Sequence, residues 1–576
     1  MEKVLPRREK GCMGRIVSVA LLIVFSVQAY PQTDTIQTNV PALKTVYAGD
    51  FRIGCLLSYR HIGFPDDPPV PGQSAVVAPN GGYVVKFHMN SMGPGNNMKA
   101  QYTIDITASA AAYAAAPAAD KDSVDTHPIV TFNGDLIAQL NWAWRQGFTF
   151  RGHTLVWHSQ TPAAFFYSGY TTGGTRLTKG KMTERLGNYI KEVIRLLHEG
   201  WPGLLSAMDV VNEAINDNGT FRTSSNDWYT TFGDTTYIMK AFEFARATTV
   251  TYGETQMKLY YNDYNTHIAS KADGIVRVLG PVFQAGYLDG IGMQEHDANS
   301  SPTAAQWIAS YNKFNAICTE MSVTELDVKT GYASPSPSVL AAQANQYGQL
   351  FKCFVERSYR SGRGKIINVS KDGLNDQYTF VTNQSTSLWD SMNKCKPAFY
   401  AVAGVGVNYN VLDSLIAYAD SLRQGDYTSD SWALFSAALA SARTARDRDY
   451  SSSVSADTGL GVAKNTLEDA VNGLVPLVGG ADGAGGNIPE TFALGQNYPN
   501  PFNPSTTIEF ALPERSDVRL VLVNMLGQVV KEVARGSCEP GYHRVRLDAS
   551  GLASGPYLYR LQAGSFVAAK RLIVLK

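Results

Sequence analysis

Two glutamates each stand at the end of a short apolar run. In Met208-Asp209-Val210-Val211-Asn212-Glu213-Ala214 and in Val323-Thr324-Glu325-Leu326-Asp327, a β-branched stretch too short for a helix runs straight into a carboxylate. A residue so placed leaves a packed wall and enters a cleft, and the mouth of an α/β barrel is where such groups are put to use. Paired carboxylates can cleave a glycosidic bond with retention. One gives and takes back a proton while the other attacks the anomeric carbon, the two standing roughly 5–5.5 Å apart. Glu213 suits the acid/base role and Glu325 the nucleophile, which must stay ionised through donated hydrogen bonds. Either glutamate alone would read as a surface residue closing a strand, so the neighbours must decide.

The elements that would carry this pair run from about residue 45 to 407. Strand candidates at 52–55, 83–88, 149–155, the run into Glu213, 257–262, 289–294, 321–325 and 365–369 number eight, with helix-period segments between them. Leu136, Ile137, Leu140 and Trp144 recur at helical spacing and stop at Gly147. Leu186, Tyr189, Ile190, Val193 and Leu197 form the next apolar face, closed by Gly200-Trp201-Pro202. Eight interleaved strands predict a (β/α)8 TIM barrel over residues 30–407, and no Gly-x-Gly-x-x-Gly turn favours a doubly wound sheet. The alanine-rich stretch 101–131 fits no repeat unit and reads as an insertion in a barrel loop.

At 576 residues the chain is too long for one ordinary core. Residues 1–29 are basic (Lys3, Arg7, Arg8, Lys10, Arg15), then apolar over 16–27, and end at Val27-Gln28-Ala29. This reads as a secretory signal peptide rather than a membrane anchor, since the apolar run falls short of the roughly 20 residues a span needs. Lys+Arg and Asp+Glu are both 50, so net charge gives no reason to expect a nucleic-acid partner. Cys55, Cys318, Cys353, Cys395 and Cys538 remain after the leader; their odd number leaves at least one unpaired, and no Cys/His spacing marks a metal site. No cofactor and no metal are expected, and a monomer is.

Beyond the barrel the texture changes. Residues 408–476 carry three helical stripes: Leu412, Leu415, Ile416, Ala419 and Leu422; Trp432, Phe435, Leu439 and Ala442; Val462, Leu467, Val471 and Leu474. A small three-helix bundle is predicted, and the turn Asp426-Tyr427-Thr428-Ser429-Asp430-Ser431-Trp432 resembles the FIVAR-like modules of extracellular bacterial enzymes, which implies a spacer or attachment role. A glycine-rich linker follows at 477–489, then a β-sandwich over 490–576 with strands at 506–510, 518–524, 528–533, 542–547, 557–561 and 566–574. Its opening, Leu494-Gly495-Gln496-Asn497-Tyr498-Pro499-Asn500-Pro501-Phe502-Asn503-Pro504, with Asn524-Met525-Leu526-Gly527 and Gly555-Pro556-Tyr557, resembles the C-terminal sorting domain of type IX secretion substrates. That resemblance implies the type IX secretion machinery as a partner, and release or surface attachment outside the cell.

Around the glutamates, Gly152-His153-Thr154-Leu155-Val156-Trp157-His158-Ser159-Gln160, Tyr261-Asn262-Asp263-Tyr264-Asn265 and Gly290-Ile291-Gly292-Met293-Gln294-Glu295-His296 together resemble glycoside hydrolase family 10, the retaining endo-β-1,4-xylanases. Position by position, the resemblance implies Glu213 as acid/base and Glu325 as nucleophile. It implies that Asn212 bonds the sugar 2-hydroxyl and that His296, tied to Asp327, orients the nucleophile. His153, Trp157, Gln160, Tyr264 and Gln294 would line the cleft. In His88-Met89-Asn90-Ser91-Met92-Gly93-Pro94-Gly95-Asn96-Asn97-Met98-Lys99, Asn96 and Lys99 match sugar-binding positions, while Gly95 stands where the family has glutamate. Asp372 stands where it has a cleft tryptophan, and Phe380 replaces a second.

A secreted endo-β-1,4-xylanase is the leading expectation, with xylan or a related β-1,4-glycan as partner. The same mechanism on mixed-linkage glucan, decorated xylan or oligosaccharides is the second. A barrel that binds polysaccharide without turnover is the third, resting on the missing tryptophan and opposed by the intact glutamates.

Overall fold

The computed structural model of the chain describes residues 36–574 apart from 65–66, 382, 428, 448–455, 473, 475–487, 501, 503, 525–527 and 553–554. The predicted signal peptide and nearly all of the predicted linker lie outside the described residues. Among the described residues, no helix is long and apolar enough to cross a membrane.

The barrel strands are β1 (Arg52–Leu56), β2 (Ser91–Gly93), β3 (Thr149–Trp157), β4 (Leu205–Asn212), β5 (Lys258–Asp263), β6 (Gly290–Met293), β8 (Glu320–Lys329) and β9 (Ile366–Asp372), with a short β7 (His296–Ala298) outside the ring. All pairings are parallel in the order β6-β5-β4-β3-β2-β1-β9-β8, and β6 pairs with β8 from Gly290↔Glu320 to Met293↔Val323, which closes the ring. Closure removes sheet edges and collects the C-terminal strand ends at one mouth. Buried helices cover the outside. Gly134–Gln146 starts where the Asn133 side chain accepts the Leu136 N–H and ends at Gly147 in the left-handed region, φ 70. Lys179–Gly200 is capped by Thr178 and buries Leu186, Tyr189, Ile190, Val193 and Leu197.

Three sequence expectations need correction. The segment 83–88 is not a strand but part of the helix Gly82–His88; Val84, Val85 and His88 are buried at helical spacing, and the second barrel strand is Ser91–Gly93. Glu325 lies mid-strand, not at a strand end. β8 continues to Lys329 because β7 pairs with it from His296↔Asp327 onward, carrying the strand past the barrel rim. The division at 407/408 falls inside one helix, Pro397–Ser421, whose first half packs on the barrel and whose second half carries Leu412, Leu415, Ile416 and Ala419 inward. Gly406 permits this, since a β-carbon there would meet Val46 at 2.4 Å and the Tyr47 ring at 2.9 Å.

The module continues with helices Ser429–Asp447 and Ala456–Asn472. Phe435, Ala442, Leu467 and Val471 are buried, whereas Val462, expected in the third stripe, is 63% exposed. The stretch 101–131 folds as short helices, Ala100–Thr103, Ile106–Ala115 and Lys121–Thr126, between β2 and the helix Gly134–Gln146. It is fastened to the barrel by a buried ion pair: Arg185 Nη2 bonds Asp125 Oδ1 at 2.7 Å, and its Nη1 bonds the Phe165 carbonyl at 2.6 Å. The C-terminal region is a β-sandwich of two antiparallel sheets. One joins β10 (Ala493–Leu494), β11 (Ser505–Leu512) and β14 (Gly541–Asp548); the other orders β13 (Val529–Cys538), β12 (Ser516–Val523), β15 (Gly555–Ala563) and β16 (Phe566–Val574). Ile508, Phe510, Leu520, Leu522, Leu561 and Leu572 fill the space between them.

Candidate active site

The barrel mouth holds a cleft of about 910 Å³. Glu213, Glu325, Asn96, Lys99, His153, Trp157, Gln160, Tyr264, Gln294 and His296 all line it, so ten of the twelve expected site residues share one cavity. Asn212 and Asp327 stand directly behind them.

Glu213 follows the last residue of β4 with φ 54, a left-handed turn that a non-glycine residue adopts only when its surroundings enforce it. The enforcement is visible. Its N–H donates to the Asn262 carbonyl at 2.9 Å, and Arg222 Nε bonds its own carbonyl at 3.0 Å. Its carboxylate accepts from Trp157 Nε1 at 2.9 Å and from Asn212 Nδ2 and Gln294 Nε2 at 3.0 Å each. All three donors are neutral.

Glu325 stands in a different environment. Asn262 Nδ2 donates to Oε1 at 2.9 Å, His296 Nε2 lies 3.5 Å from Oε2, and Arg151 Nη2 lies 3.8 Å from Oε1. Burial alone would raise this carboxyl, but the His296 hydrogen bond and the charges of His153, His296 and Arg151 hold it well below the usual carboxylate range. His296 is in turn cationic. Burial would lower it, yet hydrogen bonds and charge from Asp327 and Glu325 lift it to about 10. Its Nδ1 faces Asp327 Oδ2 at 3.2 Å. The two glutamates are linked through a pair of amides, because Asn262 Nδ2 also donates to Asn212 Oδ1 at 2.9 Å.

The remaining lining splits into two banks. On one, Lys99 Nζ donates to Asn96 Oδ1 at 2.7 Å and Gln160 Oε1 at 2.9 Å, and sits 4.5 Å over the Trp157 ring. His153 Nδ1 bonds Asp209 Oδ2 at 2.8 Å, an oxygen that Arg151 also contacts. On the other, Tyr264 Oη accepts from Arg222 Nη2 at 2.9 Å, while Lys271 Nζ lies 3.5 Å over its ring.

The three unusual positions are also at the cleft. Gly95 has φ 54, and a β-carbon would come within 3.3 Å of the Leu57 backbone, so local conformation favours glycine there. Asp372 lines the cleft and accepts the Phe380 N–H at 3.3 Å; burial first, then Asp327 and Glu325, push its carboxyl up to about 6 against the pull of His296. Phe380 is 62% exposed and packs edge-on against His296 at 4.6 Å.

Sequence reasoning passed over Arg151, Asp209, Asn262 and Arg222 as site residues. Arg151 and Asn262 sit on β3 and β5 two residues from the expected site positions His153 and Tyr264, so strand alternation could have flagged them; Asp209, on β4, is three residues from Asn212, past a register irregularity that breaks the alternation. Arg222 follows a loop and left no signal.

A closed parallel barrel with two carboxylates in contrasting fields at its C-terminal mouth defines the class of barrel glycosidases. Residues 44–405 match the model of glycosyl hydrolase family 10, and the chain belongs to that family. Residues 496–575 match the secretion system C-terminal sorting domain. Among curated relatives, endo-1,4-beta-xylanase Y of Acetivibrio thermocellus is 30% identical over 65% of this chain, which spans 33% of that protein's length. A putative endo-1,4-beta-xylanase of Caldicellulosiruptor saccharolyticus is 31% identical over 54% of this chain and 98% of its own. Among solved structures, the xylanase 10B CBM22-1–GH10 modules of Clostridium thermocellum with xylohexaose superpose at TM-score 0.53 with 29% identity, covering 63% of this chain and 67% of that one. The intracellular xylanase of Thermoanaerobacterium saccharolyticum follows at 0.52 and 25%, covering 64% and all of its chain.

Proposed function

We propose that the protein is a secreted, retaining endo-1,4-β-xylanase in which Glu325 is the nucleophile and Glu213 the acid/base. The observation that carries this assignment is the contrast in surroundings. Glu325 is gripped by cationic His296 and by Arg151, which suits an anion that attacks. Glu213 is held by neutral donors, which suits a group that passes a proton. In the first step Glu325 bonds to the anomeric carbon while Glu213 gives its proton to the departing glycosidic oxygen. In the second, water attacks that carbon, Glu213 takes the water's proton, and the Glu325 bond breaks, which restores the protonated Glu213 and the ionised Glu325. Asn212, fixed by Asn262, is offered to the sugar 2-hydroxyl, and Asn96, Lys99, Gln160 and Trp157 to the next sugar.

The relatives' names support xylan, and the C-terminal sorting domain supports export through the type IX machinery to the cell exterior. Asp372 favours a second reading, the same mechanism on another β-1,4-glycan, because a carboxylate replaces an expected stacking surface. Reducing-sugar release from xylan, β-glucan and mannan tests both. Xylan turnover abolished by Glu325→Ala and Glu213→Ala supports the first, glucan turnover alone supports the second, and no turnover of any polymer by the wild type sinks both.

A further inference from the structure

Glu295 and Asp297 alternate with cleft residues Gln294 and His296 but take no part in the cleft lining. They are 2% and 3% exposed. Glu295 Oε1 accepts the Thr266 hydroxyl at 3.0 Å; Glu295 Oε2 and both Asp297 oxygens are buried without a partner at good hydrogen-bonding geometry, although the two carboxyls face each other and the Trp307 side chain faces Glu295 closely enough to interact. Among the described residues, no lysine or arginine forms an ion pair with either carboxylate; the charges of His296 on Glu295 and of Lys329 on Asp297 act from farther off. A third group faces the same space: His267, on the loop after β5, has its Nδ1 buried and unpartnered. One ligand atom from each of His267, Glu295 and Asp297 lies within 4.8 Å of the others.

Two buried carboxylates set together without a cation are costly, because desolvation and mutual repulsion add. A shared proton would relieve the repulsion but would leave the imidazole nitrogen without a purpose. A divalent cation uses all three groups. Its charge equals that of the two carboxylates, and one imidazole with two carboxylates is a donor set for transition ions, at bonds of about 2.0–2.2 Å with a fourth position left for water. Calcium, which takes six to eight oxygens, has too few donors here. The Thr266 hydroxyl bonded to Glu295 supplies the outer support that orients a metal-bound carboxylate.

We propose that His267, Glu295 and Asp297 form a buried site for a divalent transition cation of the zinc class, which fastens the β6–β7 rim to the loop after β5. The site lies outside the catalytic cleft but acts on it. Glu295 has φ 58, and the residues on either side of it hold the two catalytic glutamates: Gln294 bonds Glu213 and His296 faces Glu325. Clamping Glu295 and Asp297 fixes the direction of both.

The test uses the full chain, purified without a histidine tag, dialysed against zinc and then against metal-free buffer, with metal content read by mass spectrometry and unfolding by calorimetry. The expected result is about one equivalent of zinc per chain, removal of which by a chelator lowers Tm by about 5 °C or more and addition of which restores it, as an ion bound only to the native state requires. His267→Ala should lose the equivalent and give a Tm insensitive to chelator. Less than about a tenth of an equivalent in the wild type, with no effect of chelator on Tm, overturns the proposal. So does full zinc retention by His267→Ala. A metal-free wild type that gains stability on Asp297→Asn would assign the pair to a shared proton instead.

Discussion

Replacing Asp327 by asparagine should expose how Glu325, the proposed nucleophile, is held. His296 lies between two carboxylates, its Nδ1 3.2 Å from Asp327 and its Nε2 3.5 Å from Glu325, and is lifted from 6.5 to about 10 despite burial. Raising the imidazole from 6.5 to about 10 corresponds to about 5 kcal/mol of preference for the cation in the folded state. Asp327 is fully buried, so solvent screens little of its share. Asn keeps the size and a carbonyl to accept the Nδ1 proton but removes the charge. If half the lift is lost, His296 deprotonates about 2 units lower, near pH 8, and Glu325 loses its cationic neighbour there. The kcat/KM profile on xylo-oligosaccharides should then acquire a basic limb shifted down by about 2 units, with activity on the alkaline side reduced on the order of 100-fold. Stability moves in step. A raised histidine stabilises fully below pH 6.5, and that contribution is lost as pH rises through about 10, so the wild type should lose more Tm between pH 7 and 10 than the variant does. An Asp327→Asn profile superimposable on wild type at both limbs would refute the reasoning.

Asp372 gives a second pH effect of different origin. Its carboxyl is raised from 3.8 to about 6, so it penalises the fold once pH exceeds its ordinary value, fully so above 6; Asp372→Asn should stabilise at pH 8 by up to about 3 kcal/mol and little at pH 4 in denaturant unfolding, and equal effects at both would contradict this. The alanine-rich insertion should depend on its buried pair: Arg185→Met leaves Asp125 uncompensated and should cost about 3–5 kcal/mol, most of it recovered by adding Asp125→Leu, whereas a loss under about 1 kcal/mol would mean the pair anchors nothing.

The barrel was legible because its signals are local. Caps at Asn133 and Gly147 and the apolar face from Leu186 to Leu197 fix element type without tertiary help. Where local pattern misled, long-range packing decided. The run Tyr83-Val84-Val85 has strand composition, yet burial at Val84, Val85 and His88 makes it a helix. Nothing local announces that the helix Pro397–Ser421 runs on through the supposed domain boundary, where Gly406 lets it pack closely on Val46 and Tyr47, a contact from far along the chain. The sequence motifs named the residues that line the cleft, but not those that act through another side chain. Arg151 reaches Glu325 only because β3 and β8 face each other across a closed barrel, and His267 comes near Asp297 because the pairing of β5 with β6 sets the loop after β5 beside β7. Such pairings appear once the ring is closed.

The central claim, double displacement through Glu325, is tested most directly by trapping its intermediate. Wild-type protein incubated with an activated 2-fluoro-xylobioside should gain the mass of one fluoroxylobiosyl group, and peptide mapping should place that group on Glu325. Labelling of Glu213 or Asp372 in its place, or turnover with an inverted anomeric product and no label, would contradict it.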